Sequence, residues 1–194
     1  TPDNVINLAE SASAAVSVSG TVFGDYTPGA TVNLTLSNGA TASAVVNADG
    51  TWSTTVPGAD LAASTSISVS LATTDTAGNS VTVVDTQSYS VDLTPPPAPI
   101  IISANGLGIN GGSEAGATVT LLDANGGVLT SVVAGANGLW TIPASAISVP
   151  LDGFVGSVVV TDPPGNLTSV GVGPIDGATP APSVDVANGL ELEG

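Results

Sequence analysis

Carboxylates carry almost all the chemistry this sequence can perform. Its 194 residues include 16 Asp and Glu but no Lys, Arg, His or Cys, giving a formal charge of −16. General acid–base and covalent catalysis draw mainly on His, Cys and Lys, so only carboxylates, hydroxyls and two tyrosines remain. Paired carboxylates can hydrolyse glycosides, but they need a cleft between well-separated acids, and nothing in the sequence marks one. Zinc and copper favour imidazole and thiolate, which are absent here. Nucleic-acid binding and docking onto anionic membranes both need Lys or Arg. Oxygen ligation of a hard cation is the chemistry left, and no enzymatic activity is expected.

The positions of the acids matter because the chain repeats itself. Gly29-Ala30-Thr31-Val32 returns as Gly116-Ala117-Thr118-Val119, and Ala48-Asp49-Gly50-Thr51-Trp52 as Ala136-Asn137-Gly138-Leu139-Trp140. Thr74-Asp75-Thr76-Ala77-Gly78-Asn79 returns as Thr161-Asp162-Pro163-Pro164-Gly165-Asn166. The three offsets are 87, 88 and 87 residues, so one period organises the chain. A third copy begins near the end, where Ala187-Asn188-Gly189-Leu190 repeats Ala104-Asn105-Gly106-Leu107. The expected division is a first domain over 1–93, a Pro-rich linker over 94–97, a second domain over 98–176, and a linker with the start of a truncated third repeat over 177–194. The parent is expected to be a longer array, of which this chain is an excised or mature piece.

Within each repeat, short alternating runs are separated by Gly, Asn, Asp and Pro turns, which predicts an all-β fold of two tandem sandwiches arranged end to end. The pattern predicts strands over Asn4–Leu8, Ala14–Thr21, Thr31–Ser37, Ala40–Val46, Thr51–Val56, Ser66–Thr74 and Val81–Val91. In the second repeat it predicts Ile100–Ser103, Leu107–Gly111, Thr118–Leu122, Val128–Ala134, Leu139–Ile142, Gly156–Val160 and Leu167–Val172. Trp52 and Trp140 take equivalent places and are expected to pin the two cores.

Alternating strand direction puts alternate loops at one end. In the second domain those loops hold Glu114, Asn137 and Asp162, and the entering linker brings Asp92 to the same place. The matching set in the first domain is Asp3, Asp25, Asp49 and Asp75, while Glu10 and Asp60 fall at its opposite end. Two like charges about 4 Å apart repel by roughly 1 kcal/mol in water and about 4 at an effective dielectric near 20. With no basic side chain to answer them, converging acids at the junction call for a cation. Asp, Glu, Asn and carbonyl oxygens suit Ca²⁺, whereas Mg²⁺ demands stricter geometry. Asp123-Ala124-Asn125-Gly126 is assigned to a turn, because Asp and Asn readily bond their own backbone.

The landmarks resemble the bacterial immunoglobulin-like tandem repeats of giant RTX and biofilm-associated surface adhesins. The resemblance rests on Asn4-Val5-Ile6-Asn7-Leu8-Ala9-Glu10, Gly20-Thr21-Val22-Phe23-Gly24-Asp25, Ala48-Asp49-Gly50-Thr51-Trp52-Ser53, Thr74-Asp75-Thr76-Ala77-Gly78-Asn79 and Val91-Asp92-Leu93-Thr94-Pro95-Pro96. Gly112-Ser113-Glu114-Ala115-Gly116-Ala117-Thr118-Val119 extends it into the second repeat. It implies a secreted, cell-surface stalk segment supporting adhesion and biofilm formation, stiffened by Ca²⁺ at junctions and partnered by neighbouring repeats of the same chain. Ligand roles then carry over to Asp25 and Asp75, and to Asp92, Glu114 and Asp162 at the junction. A monomer is expected, with no nucleic acid and no membrane insertion by this segment. The rival expectation is a carbohydrate- or protein-binding module using exposed aromatics, with Tyr26 or Phe154 as the contact.

Overall fold

In Thr31–Leu36 every second side chain is buried: Val32, Leu34 and Leu36 point inward while Thr31, Asn33 and Thr35 face water. That period of two is what a sheet with one wet face requires. The computed structural model describes residues 3–74 and 78–177. Its first part runs β1 (Val5–Ile6), α1 (Leu8–Ser11), β2 (Val16–Thr21), β3 (Thr31–Leu36), β4 (Thr41–Val45), β5 (Thr51–Val56), α2 (Gly58–Ala62), β6 (Ser66–Thr74), β7 (Ser80–Ser88) and β8 (Ser90–Val91). The second runs β9 (Ile100–Asn105), β10 (Gly108–Gly112), β11 (Thr118–Asp123), β12 (Val128–Val133), β13 (Leu139–Pro143), β14 (Gly156–Thr161) and β15 (Leu167–Val172).

Two separate cores follow. In the first, the sheet β4-β3-β6-β7 lies over the pair β2-β5, around Val32, Leu34, Leu36, Trp52 and Leu61. In the second, β12-β11-β14-β15 lies over β13-β10-β9, around Ile109, Val119, Leu121, Trp140, Ile142 and Val158. The two tryptophans are held the same way. Gly20 pairs with Trp52 across β2 and β5, and Gly111 with Trp140 across β10 and β13. A Cβ on Gly20 would lie 2.5 Å from the Trp52 ring, and one on Gly111 also 2.5 Å from the Trp140 ring. Glycine is what lets each indole lie flat on its neighbouring strand.

The strand expectations hold for most elements and fail informatively at the start. The run expected as a strand over Asn4–Leu8 pairs only at Val5 and Ile6, parallel to Ser90 and Val91. Asn7 then caps α1: its side chain accepts from Glu10 N, and the Glu10 side chain accepts from Asn7 N. This reciprocal capping box satisfies two backbone donors and turns the chain out of the sheet.

Candidate domain junction

The seam between the two sandwiches is built on Asn166. It closes the turn between β14 and β15, where Asp162 Oδ1 accepts from Asn166 N at 2.7 Å and Asp162 Oδ2 from Asn166 Nδ2 at 3.0 Å. Asp162 N returns a bond to Asn166 O at 3.0 Å. The remaining capacity of the Asn166 amide is spent across the seam. Its Nδ2 donates to the Asp92 carbonyl at 3.0 Å, and its Oδ1 accepts from Leu8 N at 2.7 Å. Beside it, Asn7 Nδ2 donates to the Pro164 carbonyl at 2.8 Å.

These bonds tie three chain segments together: the start of α1, the end of β8 and the β14–β15 turn. Asn166 is 3% exposed and Asp162 is 7% exposed, so the bonds are made largely out of water, where a polar group must find its partners in protein. The Pro-rich stretch is fastened as well. Asp92 N donates to Ile6 O at 2.9 Å, Asp92 Oδ1 accepts from Thr94 N at 3.0 Å, and Thr168 Oγ1 donates to Pro96 O at 2.7 Å. Pro96 and Pro99 are buried. The linker is a strap laid along the second sandwich.

Of the acids named from sequence, Asp162 is linked through the Asn166 amide to the main-chain carbonyl of Asp92, while the Asp92 carboxylate accepts from Thr94 N. Glu114 lies in the turn between β10 and β11, at the same end, since Thr118 pairs with Thr161. Its side chain is exposed, and its carbonyl accepts from Ala117 N. Among the described residues, no group of three or more acidic side chains is drawn close enough to hold a metal ion. The oxygen-only donor set nonetheless fits a hard cation, and Asp162 is a carboxylate buried in a chain without a single basic side chain.

The acids of the first sandwich divide between its ends. Asp25 and Asp49 share the end away from the seam, where Val22 N donates to Gly50 O and Tyr26 Oη to Ala48 O. Asp49 is spent on its own turn: its Oδ1 accepts from Thr51 Oγ1 at 2.7 Å and Thr51 N at 3.0 Å, which holds its carboxyl below the usual 3.8. Asp75 lies outside the described residues. Asp3 does not join Asp25 and Asp49, because β1 is only two residues long and runs beside β8. The nine residues of β7, about 30 Å of strand, separate the far turn from that level.

Sequence reasoning missed Asn7, Leu8 and Asn166 because it searched for charge, and the seam is made mostly by neutral amides. A capping box in Asn7-Leu8-Ala9-Glu10 was the available signal for α1. The aromatic platform is corrected too. Phe154 is buried in the second core, and Tyr26 packs partly against the first. Phe23, 86% exposed, is the ring that faces solvent.

Two Ig-like sandwiches in tandem, fastened at a seam, define a class of modular β protein, and the comparisons place the chain within it. The chain belongs to the bacterial immunoglobulin-like domains: the family model described as "Bacterial Ig domain" matches residues 95–172. The chain is similar to a solved Ca²⁺-stabilised adhesin with which an Antarctic bacterium binds ice, at 31% identity over 88% of this chain and 45% of that one, with a TM-score of 0.56. It is also similar to a 1.5-MDa bacterial ice-binding adhesin studied for retention at the host cell surface, at 32% identity over 87% of this chain and 59% of that one, with a TM-score of 0.55. An Ig-like domain of the M. primoryensis ice-binding adhesin is 43% identical over 47% of this chain and 89% of its own, with a TM-score of 0.44. The chain thus spans about half the length of the first two structures. No curated protein matches.

Proposed function

We propose that this chain is an extender segment of a large bacterial surface adhesin, with sandwiches over 1–93 and 98–176 joined by the strap at 94–97. Its role is mechanical: to hold an adhesive element away from the cell in support of adhesion and biofilm formation. The observation that carries this reading is the Asn166 bridge, which ties Leu8 and Asp92 of one sandwich to Asp162 of the next. A free linker would need no such bonds, and each costs ordering entropy that only a fixed junction repays.

Ca²⁺ is the second part of the proposal. Asp92 and Asp162 are the residues that would hold it at the seam, with Glu114 on the adjacent turn; Asp25, at the far end of the first sandwich, and Asp75 are the further ligands proposed, where another repeat would dock. When bound, the ion supplies the positive charge that the chain lacks. The bonds that cross the seam from Asn166 and Asn7 are neutral, but Asn166 also holds both oxygens of Asp162, so the amide and the ion would share that carboxylate. The similarity to an adhesin described as Ca²⁺-stabilised supports this reading. Calorimetric titration with Ca²⁺ tests it: the chain should bind saturably, and Asp92→Asn with Asp162→Asn should remove a binding event. Titrations that show no saturable uptake, or that the double variant leaves unchanged, would refute it.

A further inference from the structure

The two sandwiches differ along one side. In the second, β10 is the middle strand of three, paired with β13 on one edge and antiparallel to β9 on the other. Ile101 and Ala104 of β9 pack on the core there, and β9 also reaches β15 of the facing sheet. In the first, β2 takes the place of β10 with the same Gly–Trp register, yet among the described residues it pairs with β5 alone. The atoms nearest a Cβ on Gly111 include the Ile100 carbonyl of β9, whereas those nearest a Cβ on Gly20 all belong to Trp52. Between β2 and β7 lies a cleft of about 620 Å³, with Val16, Val18, Val69, Leu71 and Val83 along its walls. An unpaired strand edge beside an apolar groove is a template for one more strand.

A single acid defines which strand fits. Val32 and Val119 are equivalent by the shared Gly-Ala-Thr-Val, and they pair with Leu71 and Val160. Two residues along, Val69 pairs with Asp85 and Val158 with Val170. Asp85 of β7 therefore stands where β15 has Val170, and Gln87 where it has Val172. Val170 is half-buried against the second core and Val172 is buried in it. Asp85 lines the open cleft and, like every residue of β7, is exposed.

A strand laid along β2 as β9 lies along β10 would take Asp85 out of water. A carboxylate so placed is strongly disfavoured without a counter-charge, so the incoming strand must bring a cation. A purely aliphatic strand is rejected on that ground. A second copy of this chain is rejected too, since it has no Lys or Arg to offer and repels with a charge of −16. The edge itself is unguarded: Val16-Ser17-Val18-Ser19-Gly20-Thr21 carries neither a charge nor a proline, the usual obstacles to strand addition.

We infer that the β2 edge of the first sandwich takes an extended segment of another protein, antiparallel to β2, with aliphatic side chains on its inner face and a Lys or Arg among them that pairs with Asp85. Main-chain bonds to β2 hold the segment, its aliphatic face fills the cleft, and the cation answers the one acid on the wall. This binding role goes beyond the stalk reading and depends on neither Ca²⁺ nor the seam.

Fluorescence anisotropy of labelled synthetic peptides with the intact chain, in chelator and physiological salt, tests the inference. The probes are a ten-residue peptide copying residues 98–107, the same peptide with Ile101→Lys or Ala104→Lys at an inward position, and a scramble of each lysine peptide. One lysine peptide should bind saturably, about tenfold more tightly than the unsubstituted peptide and than its own scramble, as a charge-assisted bond implies. Asp85→Val, which installs the residue that β15 carries, should remove that preference. Asp85→Asn, which keeps the side-chain shape, repeats the test if the valine variant fails to fold. Absence of saturable binding, a scramble that binds as well as its parent, or a preference that survives loss of the Asp85 charge overturns the inference. Self-association of the chain in sedimentation velocity, if Val83→Asp abolishes it, would make a second copy the occupant and overturns it as well.

Discussion

The side-chain amide of Asn166 donates to the main-chain carbonyl of Asp92, a residue 74 positions earlier and on the other side of the domain seam. Through the same amide, Asp162 Oδ2 is held 3.0 Å from that nitrogen. One neutral side chain therefore serves as the clamp between a linker and the loop it approaches: both its amide hydrogens are donated and its oxygen accepts from Leu8 N.

Replacing that clamp should be costly. Asn166→Ala removes the partners of Leu8 N, the Asp92 carbonyl and Asp162 Oδ2 at a site that is 3% exposed. Leaving a buried polar group unpaired costs about 1–3 kcal/mol, so urea unfolding should show a loss of that order in the second sandwich. The angle between sandwiches should also broaden, as judged by scattering. Asn7→Ala, which loses one seam bond and the α1 cap, should show a smaller version of both effects.

The two Gly–Trp pairs should respond unequally to one methyl group. At Gly20 the added carbon meets the edge of the Trp52 ring, which can shift towards the open side of its sandwich. At Gly111 it meets both Trp140 and the Ile100 carbonyl of β9, and a paired backbone cannot give way. Overpacking of this kind costs roughly 1–3 kcal/mol. Gly111→Ala should therefore sit at or above the upper end and Gly20→Ala towards the lower, measured as shifts in denaturation midpoint.

Asp49 should give a pH signature at the far turn. Its carboxyl is held below 3.8 by the Thr51 hydroxyl and backbone bonds. A depressed folded value means that the contribution is fully present above the unfolded value and lost as pH falls through the folded one. Asp49→Ala should therefore be less stable than the parent at neutral pH, and the difference should vanish well below pH 3.8. A gap between the two melting curves that stays constant down to strong acid would contradict this assignment.

Much of the fold was legible because alternation is a strong signal when cores are thin. Thr31–Leu36 and Thr51–Val56 could be read almost residue by residue, and the Trp52 and Trp140 landmarks fixed the equivalent strands. The division of loops between ends followed from strand direction and puts Asp92, Glu114 and Asp162 at one end, though without drawing them into one group among the described residues. The cap at Asn7 was written in the sequence but was overridden by the apolar run Val5-Ile6. Asn166 could not have been found as a clamp, because its partners lie 74 and 158 residues away and its own side chain carries no charge. The open side of the first sandwich was equally hidden. The Val81, Val83 and Val84 pattern reads like that of a covered strand, yet β7 is exposed throughout and β2, among the described residues, pairs with β5 alone.

Ca²⁺ should raise the melting temperature through the seam acids and not through acids in general. At matched ionic strength, so that screening is equal, Asp162→Asn should abolish most of the shift. Asp123→Asn should leave it intact, because Asp123 pairs with Gly156 at the end of the second sandwich remote from the seam.

The most direct test of the central claim, that the seam makes two sandwiches into one stiff element through ion binding, is small-angle scattering of the chain in chelator and in millimolar Ca²⁺. The account predicts a larger maximum dimension and a narrower distribution of interdomain distances when Ca²⁺ is present. Superimposable profiles in the two conditions would contradict it.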